Sequence, residues 1–408
     1  MKKIYEIDEM PQLGVVPPKM YAWTIRPENH GTPIKALTLE VVDAPQIADN
    51  EVLVLVMAAG MNYNGVWAAL GKPVSPCSIH KEPYHIAGSD ASGILWQIGE
   101  SLSNDKNFKF KIGDEVIINA AHSCGKCSKC ISGQQVYCQK GKAWGYETSC
   151  GSFCQFTKVQ FSQLLPKPKH LSWADSGGYL LSAATAWHML FDFFPNVAKP
   201  GKSVLVFGGA GGVGSYIIQL ASLSGARVVA VASSDERGKY CIERGACGYV
   251  NRKNFDCWGR LPEINSSEYL TYLLKVRKFR SAIRDILGKN VSPDIVVDFI
   301  GEETLHVSTY VVEWGGMVIT CGATSGFLMS FDASYLWMRQ KRIQGSHFCS
   351  FEGIEQLQKI VEEQKIDCRV SKTYRWKDLA LAHEELYEGR GAYGNCSILV
   401  HAKEDIIN

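Results

Sequence analysis

The chain has 408 residues, which is enough for two domains of ordinary size. Hydrophobic residues make up 46% and charged residues 21%, a balance typical of a packed globular protein. The 43 lysines and arginines nearly match the 41 aspartates and glutamates, so a net charge of +2 argues against binding to nucleic acid or an anionic membrane surface. The opening residues lack the apolar core of a signal peptide, and the longest apolar-looking stretch, 179–194, is too short and too polar to span a bilayer. We therefore expect a cytoplasmic protein.

The predicted elements change character along the chain. Short strands separated by glycine and proline come first and favour a compact β-rich domain; they are expected at 51–59, 93–98, 115–120 and 153–159. From about residue 185, strands alternate with helices, which indicates a doubly wound parallel α/β sheet; the strands are expected at 203–209, 226–234, 294–301 and 316–322, with helices at 215–225 and 236–246. We predict that a nucleotide-binding domain of residues 186–344 is inserted into a β-rich domain of residues 1–185 and 345–408.

A glycine-rich turn follows the strand that begins at residue 203. Gly209, Gly211 and Gly214 form the pattern G-x-G-x-x-G, with Gly212 and Val213 between the last two. Glycines at these positions allow a tight turn and a close approach of a dinucleotide pyrophosphate to the free N–H groups of the next helix. These five residues are our candidates for binding a nicotinamide cofactor.

The end of the next strand indicates which cofactor binds. NAD sites usually place a carboxylate there, which bonds to the ribose 2′-hydroxyl. This chain has Ser233 and Ser234, followed by Arg237 and Lys239, and these groups suit a 2′-phosphate. Asp235 is a carboxylate near this position and would favour NAD, but it lies past the end of the strand and could instead cap the following helix. We therefore predict NADP(H), with Ser233, Ser234 and Arg237 near the phosphate.

A run of closely spaced cysteines predicts a metal site. The segment SCGKCSKCISGQQVYC has the spacing C-x-x-C-x-x-C-x7-C, formed by Cys124, Cys127, Cys130 and Cys138. Four thiolates at this spacing favour a closed tetrahedral Zn²⁺ site with no open position for water, so its role would be structural. Free thiols are the alternative.

The cysteine lobe resembles that of the medium-chain dehydrogenases/reductases. Zinc alcohol dehydrogenases of this superfamily bind a second, catalytic zinc through an early Cys and a Gly-His-Glu segment. This chain has Asn62 at the first position and Gly88-Ser89-Asp90 at the second, and Asn and Ser are poor zinc ligands. The resemblance thus implies a Rossmann domain inserted in a GroES-like catalytic domain, and a reductase rather than an alcohol dehydrogenase.

Within that superfamily the chain closely resembles the crotonyl-CoA carboxylase/reductases. The resemblance rests on segments along nearly the whole chain: NYNGVWAALGKPVSP (62–76), PYHIAGSDASGI (83–94), WGYET (144–148), GSFCQFTKVQ (151–160), NRKNFDCWGRLP (251–262) and LWMRQKRIQGSHF (336–348). It implies that NADPH reduces a 2-enoyl thioester at C3 and that the enolate takes up CO2. The product would be a 2-alkylmalonyl thioester, the form of a polyketide extender unit. A homodimer or homotetramer is expected on the same analogy.

The resemblance also assigns catalytic residues. Asn62 would donate a hydrogen bond to CO2, Glu147 and His347 would hold an ordered water against it, and Tyr146 would form part of the wall. Such a site must exclude loose water, because a protonated enolate gives only the saturated thioester. Asn64 is an open case, since it could instead shape the turn.

The chain departs from the family where the thioester carrier binds. Ser334 replaces a common arginine, and Glu313-Trp314 stands where relatives carry basic residues. Arg339, Lys341 and Arg342 lie nearby in sequence and could partly compensate for the missing cations. The loss of Arg–phosphate contacts would weaken CoA binding, so an enoyl carrier-protein thioester stays open beside enoyl-CoA.

Three alternatives to reductive carboxylation remain: an enoyl-thioester reductase that only protonates the enolate, a cofactor-binding protein without turnover, and, more distantly, a zinc alcohol dehydrogenase. The polar insertion at 251–290 is rich in charged and aromatic residues and could serve either subunit contact or carrier recognition.

Overall fold

In the computed structural model of the chain, residues 2–103 and 108–407 are described. Their strands are, in chain order, β1 (Lys19–Ile25), β2 (Leu37–Asp43), β3 (Glu51–Gly60), β4 (His85–Ile86), β5 (Ala91–Ile98), β6 (Glu115–Ile118), β7 (Ala121–His122), β8 (Lys142–Ala143), β9 (Phe156–Gln160), β10 (Leu164–Pro166), β11 (Ser203–Phe207), β12 (Arg227–Ala232), β13 (Gly248–Asn251), β14 (Ile295–Val297), β15 (Met317–Thr320), β16 (Arg342–Gly345), β17 (Lys372–Arg375) and β18 (Cys396–Leu399).

The α-helices of the described residues are, in chain order, α1 (Pro33–Ala36), α2 (Tyr63–Leu70), α3 (Pro76–His80), α4 (Glu100–Ser103), α5 (Ser128–Ile131), α6 (Trp173–Phe191), α7 (Gly212–Leu223), α8 (Asp235–Glu243), α9 (Ser267–Leu287), α10 (Leu305–Val311), α11 (Ala333–Trp337), α12 (Phe351–Glu362) and α13 (Leu379–Tyr387). None of them combines the length and the apolar character that a membrane span needs.

The chain divides into two compact units. The first contains residues 1–182, 361–363 and 368–408, and the second contains residues 183–360 and 364–367. Residues 345–360 thus group with the second unit, whereas the sequence analysis assigned them to the β-rich domain. The domain assignment itself stays a prediction.

The first unit is built around a long buried strand. β3 is buried along its length except at Glu51, because its sequence is apolar on both faces. It pairs antiparallel with β5, β9 and β18 in a seven-stranded sheet, and a smaller sheet has the order β2-β1-β4. The chain leaves β3 at its carboxyl end and enters α2 directly, so the residues between them hold fixed positions.

The second unit contains the predicted doubly wound sheet. Its six strands are all parallel and run in the order β13-β12-β11-β14-β15-β16. This is the order of the Rossmann fold, with β11 first in sequence and at the centre. The predicted fold class is therefore confirmed.

The insertion at 251–290 is part of this sheet's packing. Helix α9 buries one apolar stripe at the helical spacing of three and four residues, made of Tyr269, Tyr272, Val276, Phe279, Ile283 and Leu287. That stripe belongs to the same hydrophobic core as Phe207 of β11. The segment before it contributes Trp258, whose ring packs edge-on against Phe207 and Phe279. The family-like motif NRKNFDCWG therefore supports the sheet.

Candidate active site

The glycine-rich turn lies at the carboxyl end of β11 and opens α7. Gly208 adopts a left-handed conformation with φ +64°, and Gly211 is the N-cap of α7, whose first residues are Gly212 and Val213. A side chain at Gly214 would place its Cβ 2.3 Å from the Gly208 carbonyl oxygen, so only glycine fits there. A Cβ at Gly211 would meet only that same oxygen at 3.4 Å, an ordinary contact. Gly211 thus borders open space beside the helix N-terminus.

Polar side chains follow β12 at the same edge of the sheet. Ser233 is exposed, and the Ser234 hydroxyl caps α8 by accepting a hydrogen bond from the Arg237 backbone N–H at 3.3 Å. Asp235 is the first residue of α8, and its carboxylate accepts a hydrogen bond from Asn251 Nδ2 at 3.1 Å. Asp235 is therefore engaged with the neighbouring strand β13, while Ser234, and not Asp235, caps the helix.

Asn62 lies between β3 and α2, at the N-cap position of the helix. Its carbonyl oxygen Oδ1 accepts a hydrogen bond from the Ser182 hydroxyl at 3.3 Å, so the amide nitrogen points the other way. That nitrogen, Nδ2, is buried and has no hydrogen-bond partner of good geometry. Leaving a buried donor without a well-formed hydrogen bond is costly, so this nitrogen is suited to donate to a ligand oxygen.

Tyr146 and Glu147 share one turn after β8. One Glu147 carboxylate oxygen accepts a hydrogen bond from the Ala143 backbone N–H at 2.7 Å, which fixes the side chain within the turn. The Tyr146 hydroxyl lies within hydrogen-bonding distance of the backbone carbonyls of Lys72 and Val74, and burial raises its pKa to about 12. The hydroxyl thus ties this turn to the loop that follows α2.

The same turn packs tightly on the segment that follows β4. Gly145 has φ +74°, and a Cβ there would lie 1.9 Å from the Gly88 carbonyl oxygen. A Cβ at Gly88 would in turn meet the Ser152 hydroxyl at 2.2 Å. Glycine is therefore required at both positions, and the two segments approach each other closely in the first unit.

His347 belongs to the second unit. It follows β16 by two residues, and its ring lies 3.8 Å from that of Phe348 between centroids. The side chain is exposed, so it is not a packed strand residue. Because all six strands are parallel, His347 and the glycine-rich turn lie at the same edge of the sheet, where ligands of this fold bind.

The positions that correspond to catalytic zinc ligands hold a different set of contacts. Asn64 Nδ2 donates to the Ser89 hydroxyl at 3.5 Å, so its side chain forms a contact between the two segments. Asp90 is fully buried beside Asn62. Among the described residues, the four-cysteine lobe is the only place where three or more potential His, Cys, Asp or Glu ligands converge.

The four cysteines of the lobe have the geometry that zinc needs. Their Sγ atoms all lie within 4.8 Å of one another, and three of the separations are 3.5, 3.8 and 3.9 Å. Zn–S bonds of about 2.3 Å in a tetrahedron place the sulfurs about 3.8 Å apart. The residues therefore fit a structural Zn²⁺ ion without rearrangement.

Of the three cations near Ser334, two donate hydrogen bonds to backbone carbonyls. Lys341 is buried and donates to the Thr309 carbonyl at 2.7 Å, and burial lowers its pKa to about 7. The Arg342 guanidinium donates to the Phe194 carbonyl at 2.9 Å. Ser334 itself bonds to Asp332. The suggestion that Lys341 and Arg342 compensate for the missing arginine is therefore not supported by their contacts.

Arg339 belongs instead to a cationic and aromatic surface, which we call the Tyr335 surface. It consists of Arg277, Arg280, Trp314, Tyr335 and Arg339. Arg339 lies over the rings of Trp314 and Tyr335 at 5.4 and 5.0 Å. Burial raises the pKa of the Tyr335 hydroxyl, and the positive charges of Arg339 and Arg277 nearby partly oppose that rise. Arg280 lies over Tyr310, which packs against Tyr335. Trp314 is 67% exposed, so the surface offers an aromatic face beside three cations.

Sequence reasoning missed two residues of this site. Ser182 and Asp90 contact Asn62 from 120 and 28 positions away, and neither lies in a pattern typical of catalysis. Asp90 was noticed only as a position where a zinc ligand is missing. The available signal was its place in an apolar neighbourhood, just before the buried strand β5.

Comparisons with known proteins agree with this architecture. Family models match residues 48–169 as an alcohol dehydrogenase GroES-like domain and residues 212–363 as a zinc-binding dehydrogenase. A crotonyl-CoA carboxylase/reductase of Cereibacter sphaeroides is 48% identical over 401 residues, which cover 98% of this chain and 92% of that protein.

Two solved structures extend the likeness. A crotonyl-CoA carboxylase/reductase, AntE, in complex with NADP superposes with a TM-score of 0.92 at 40% identity, over 99% of this chain and 100% of that one. The 2-octenoyl-CoA carboxylase reductase CinF, in complex with NADP and 2-octenoyl-CoA, gives a TM-score of 0.87 at 31% identity, over 96% and 90% of the two chains. By this identity over nearly its whole length, the chain belongs to the crotonyl-CoA carboxylase/reductase family of the medium-chain dehydrogenases/reductases.

Proposed function

We propose that the protein catalyses the NADPH-dependent reductive carboxylation of a 2-enoyl-CoA thioester to a 2-alkylmalonyl-CoA. When bound, NADPH supplies the hydride to C3 of the thioester, and C2 of the resulting enolate bonds to the carbon of CO2. The observation that carries the proposal is the buried amide nitrogen of Asn62, which makes no well-formed hydrogen bond and offers one directed donor to an uncharged ligand. The family membership supports the reaction type.

Each candidate catalytic residue of the first unit has its own role in the proposed reaction. Asn62 donates to a CO2 oxygen and holds the molecule in place before attack, while the Ser182 hydroxyl fixes the direction of the amide. Glu147 is held by the Ala143 backbone, and its other oxygen orients a water. Tyr146 closes the turn against the 72–74 backbone. The role of His347 as a partner to that water rests on the family resemblance alone.

The cofactor is bound by the glycine-rich turn and the end of β12. Gly212, Val213 and Gly214 bring the first backbone N–H groups of α7 to the pyrophosphate. Gly209 and Gly211 form the turn before the helix, and their own N–H groups donate to the backbone carbonyls of Val231 and Gly208. Ser233 and Arg237 bind the 2′-phosphate, with Ser234 capping the helix beside them. Asp235 is held by Asn251, which keeps its charge from the ribose. NADPH is therefore preferred over NADH.

The cysteine lobe is proposed to hold one structural zinc ion through Cys124, Cys127, Cys130 and Cys138. The supporting observation is the tetrahedral spacing of the sulfurs. Such an ion would stabilise the lobe and take no part in the reaction.

The acyl carrier is proposed to be coenzyme A. Its nucleotide carries phosphates and an adenine ring, which match the three arginines and the aromatic faces of the Tyr335 surface. Arg339 would take over the contribution of the arginine that Ser334 replaces.

Isotope-labelled bicarbonate tests the reaction. With crotonyl-CoA, NADPH and [13C]bicarbonate, mass spectrometry should find ethylmalonyl-CoA with one labelled carboxyl group. Only unlabelled butyryl-CoA would show a simple reductase, and no NADPH oxidation with any enoyl thioester would show a cofactor-binding protein. Asn62→Ala should shift the product towards the saturated thioester by about tenfold. Asn64→Ala is the matched control, because its amide bonds to Ser89 and it should keep the wild-type product ratio.

A truncated substrate tests the carrier. Arg339→Ala should raise the KM for crotonyl-CoA by about tenfold, as expected for loss of a phosphate contact. Its KM for crotonyl-pantetheine, which lacks the nucleotide, should stay unchanged. Lys278→Ala is the charge-matched control, since Lys278 lies near Asp256. Equal activity of crotonyl-CoA and crotonyl-pantetheine in the wild type, with a lower KM for a carrier-protein thioester, would instead identify a carrier protein.

A further inference from the structure

A buried carboxyl group lies behind the proposed CO2-binding amide. Asp90 is fully buried just before β5, and its backbone carbonyl accepts a hydrogen bond from the Gly60 N–H at 3.0 Å. A Cβ on Gly60 would lie 2.8 Å from the Asp90 Cβ, so the Asp90 backbone packs directly against the end of β3. β3 leads to Asn62 two residues later, which fixes the distance between the two side chains.

The two side chains are held by consecutive residues of one helix. Leu181 N–H donates to Asp90 Oδ2 at 3.1 Å, and the Ser182 hydroxyl donates to Asn62 Oδ1 at 3.3 Å. The remaining polar atoms, Asp90 Oδ1 and Asn62 Nδ2, are both buried and make no well-formed hydrogen bond, although Asn62 is close enough to lower the pKa of Asp90. α6 therefore presents the carboxyl and the amide side by side.

The effect of the carboxyl on the Asn62 N–H and on an enolate depends on whether Asp90 is charged. Burial raises the pKa of Asp90 well above its usual range and outweighs the Leu181 and Asn62 interactions, so burial favours the neutral form of the carboxyl. The titratable group that faces it is Tyr179 of α6, whose pKa is also raised, mainly by burial and in part by Cys368 and Asp90. A charged carboxylate here would draw the Asn62 N–H towards itself and repel an enolate; a neutral one does neither.

We propose that Asp90 is a positioning residue, whose buried carboxyl lies beside the Asn62 amide and limits the directions in which that amide can present its N–H to CO2. The proposal rests on the proposed reaction and assigns a role to a residue outside the CO2-contacting set. A purely structural role, in which Asp90 only satisfies the Leu181 N–H, predicts a different outcome when the carboxyl is changed.

Three variants separate the two roles. Asp90→Asn is neutral and of the same shape, so it should keep the fraction of carboxylated product within about twofold of the wild type. Asp90→Ala removes the neighbour of Asn62 and should lower that fraction, and raise the KM for CO2, by about tenfold. Its rate of NADPH oxidation with crotonyl-CoA should fall much less. Asp90→Ser, which shortens the side chain but keeps a hydroxyl, replaces Asp90→Ala if that variant does not fold.

The measurement is the ratio of ethylmalonyl-CoA to butyryl-CoA with labelled bicarbonate, together with NADPH oxidation and thermal unfolding. A wild-type ratio in the folded truncated variant would overturn the role of Asp90, and so would an equal loss in Asp90→Asn and Asp90→Ala. If the wild type incorporates label, either result counts against Asp90 alone. Absence of label from the wild-type product would overturn both the proposed reaction and this inference.

Discussion

Adding a methyl group at Gly211 or Gly214 should separate cofactor binding from folding. At Gly214 the new Cβ would lie 2.3 Å from the Gly208 oxygen and 2.8 Å from the Gly209 Cα, so the turn must move. Overpacking of this kind costs about 1–3 kcal/mol, and each kcal/mol lowers the Tm by about 2–4 °C for a unit of this size. We therefore expect the Tm of Gly214→Ala, measured without NADPH, to fall by about 2–12 °C.

Gly211→Ala should behave in the opposite way. Its Cβ would meet only the Gly208 oxygen at 3.4 Å, and its φ of −88° suits any residue, so the fold should lose less than about 0.5 kcal/mol. The added methyl group would instead occupy the space that the pyrophosphate needs. We expect the Kd for NADPH, from fluorescence titration, to rise at least about tenfold, or about 1.4 kcal/mol. An unchanged Kd together with a wild-type Tm would refute the assignment of this turn to the pyrophosphate.

Three further predictions follow from single contacts. Tyr146→Phe should lower the free energy of unfolding by about 1 kcal/mol and keep the product ratio, since it loses only the bond to the 72–74 backbone. Cys138→Ser should lose about one zinc per chain by elemental analysis and lower the Tm, with an unchanged Kd for NADPH. Burial lowers the pKa of His85 to about 3 and of His383 and His401 to about 4, whereas unfolded histidine titrates near about 6.5. The unfolded state therefore binds more protons below about pH 6.5, so urea unfolding should show stability falling from there towards about pH 4; a flat profile would contradict it.

The sequence predicted the second unit well because its signals are local. Glycine marks the turn after β11, and polar residues follow the end of β12, so strand and helix alternate with clear boundaries. The exception is the strand expected at 294–301, of which only Ile295–Val297 forms β14. The chain turns at Asp298, whose buried carboxylate accepts hydrogen bonds from Ile300 N–H and the Ser308 hydroxyl. The apolar sequence pattern does not reveal that these side-chain hydrogen bonds end the strand.

The first unit was harder to predict because its backbone is shaped by contacts between distant segments. The strand expected at 153–159 forms only at Phe156–Gln160, since Gly151 and Phe153 bond to the backbone of residues 86–88. The same packing brings the Gly145 turn against Gly88. The motifs therefore identified which segments matter, while the pairing between them is set by tertiary structure.

The role of helix α9 in packing was also not visible from the sequence alone. Its segment was seen only as a polar insertion, because charged residues outnumber the apolar ones that it buries along one stripe. In the structure, α9 packs against β11, and the aromatic residues of NRKNFDCWG pack against the buried stripe of α9. Resemblance marked this motif as specific to the family, but only packing shows that it supports the sheet.

The candidate site also explains why uncharged groups surround Asn62. CO2 has no net dipole, so a single amide donor can orient it, whereas a full charge at the same place would attract water and compete for the donor. The Ser182 hydroxyl behind the amide is neutral, and burial shifts Asp90 towards its neutral form. A neutral carboxyl competes less strongly than a carboxylate for the Asn62 N–H. In the proposed site, the neutral form of Asp90 would therefore leave that N–H available to CO2 when the enolate forms.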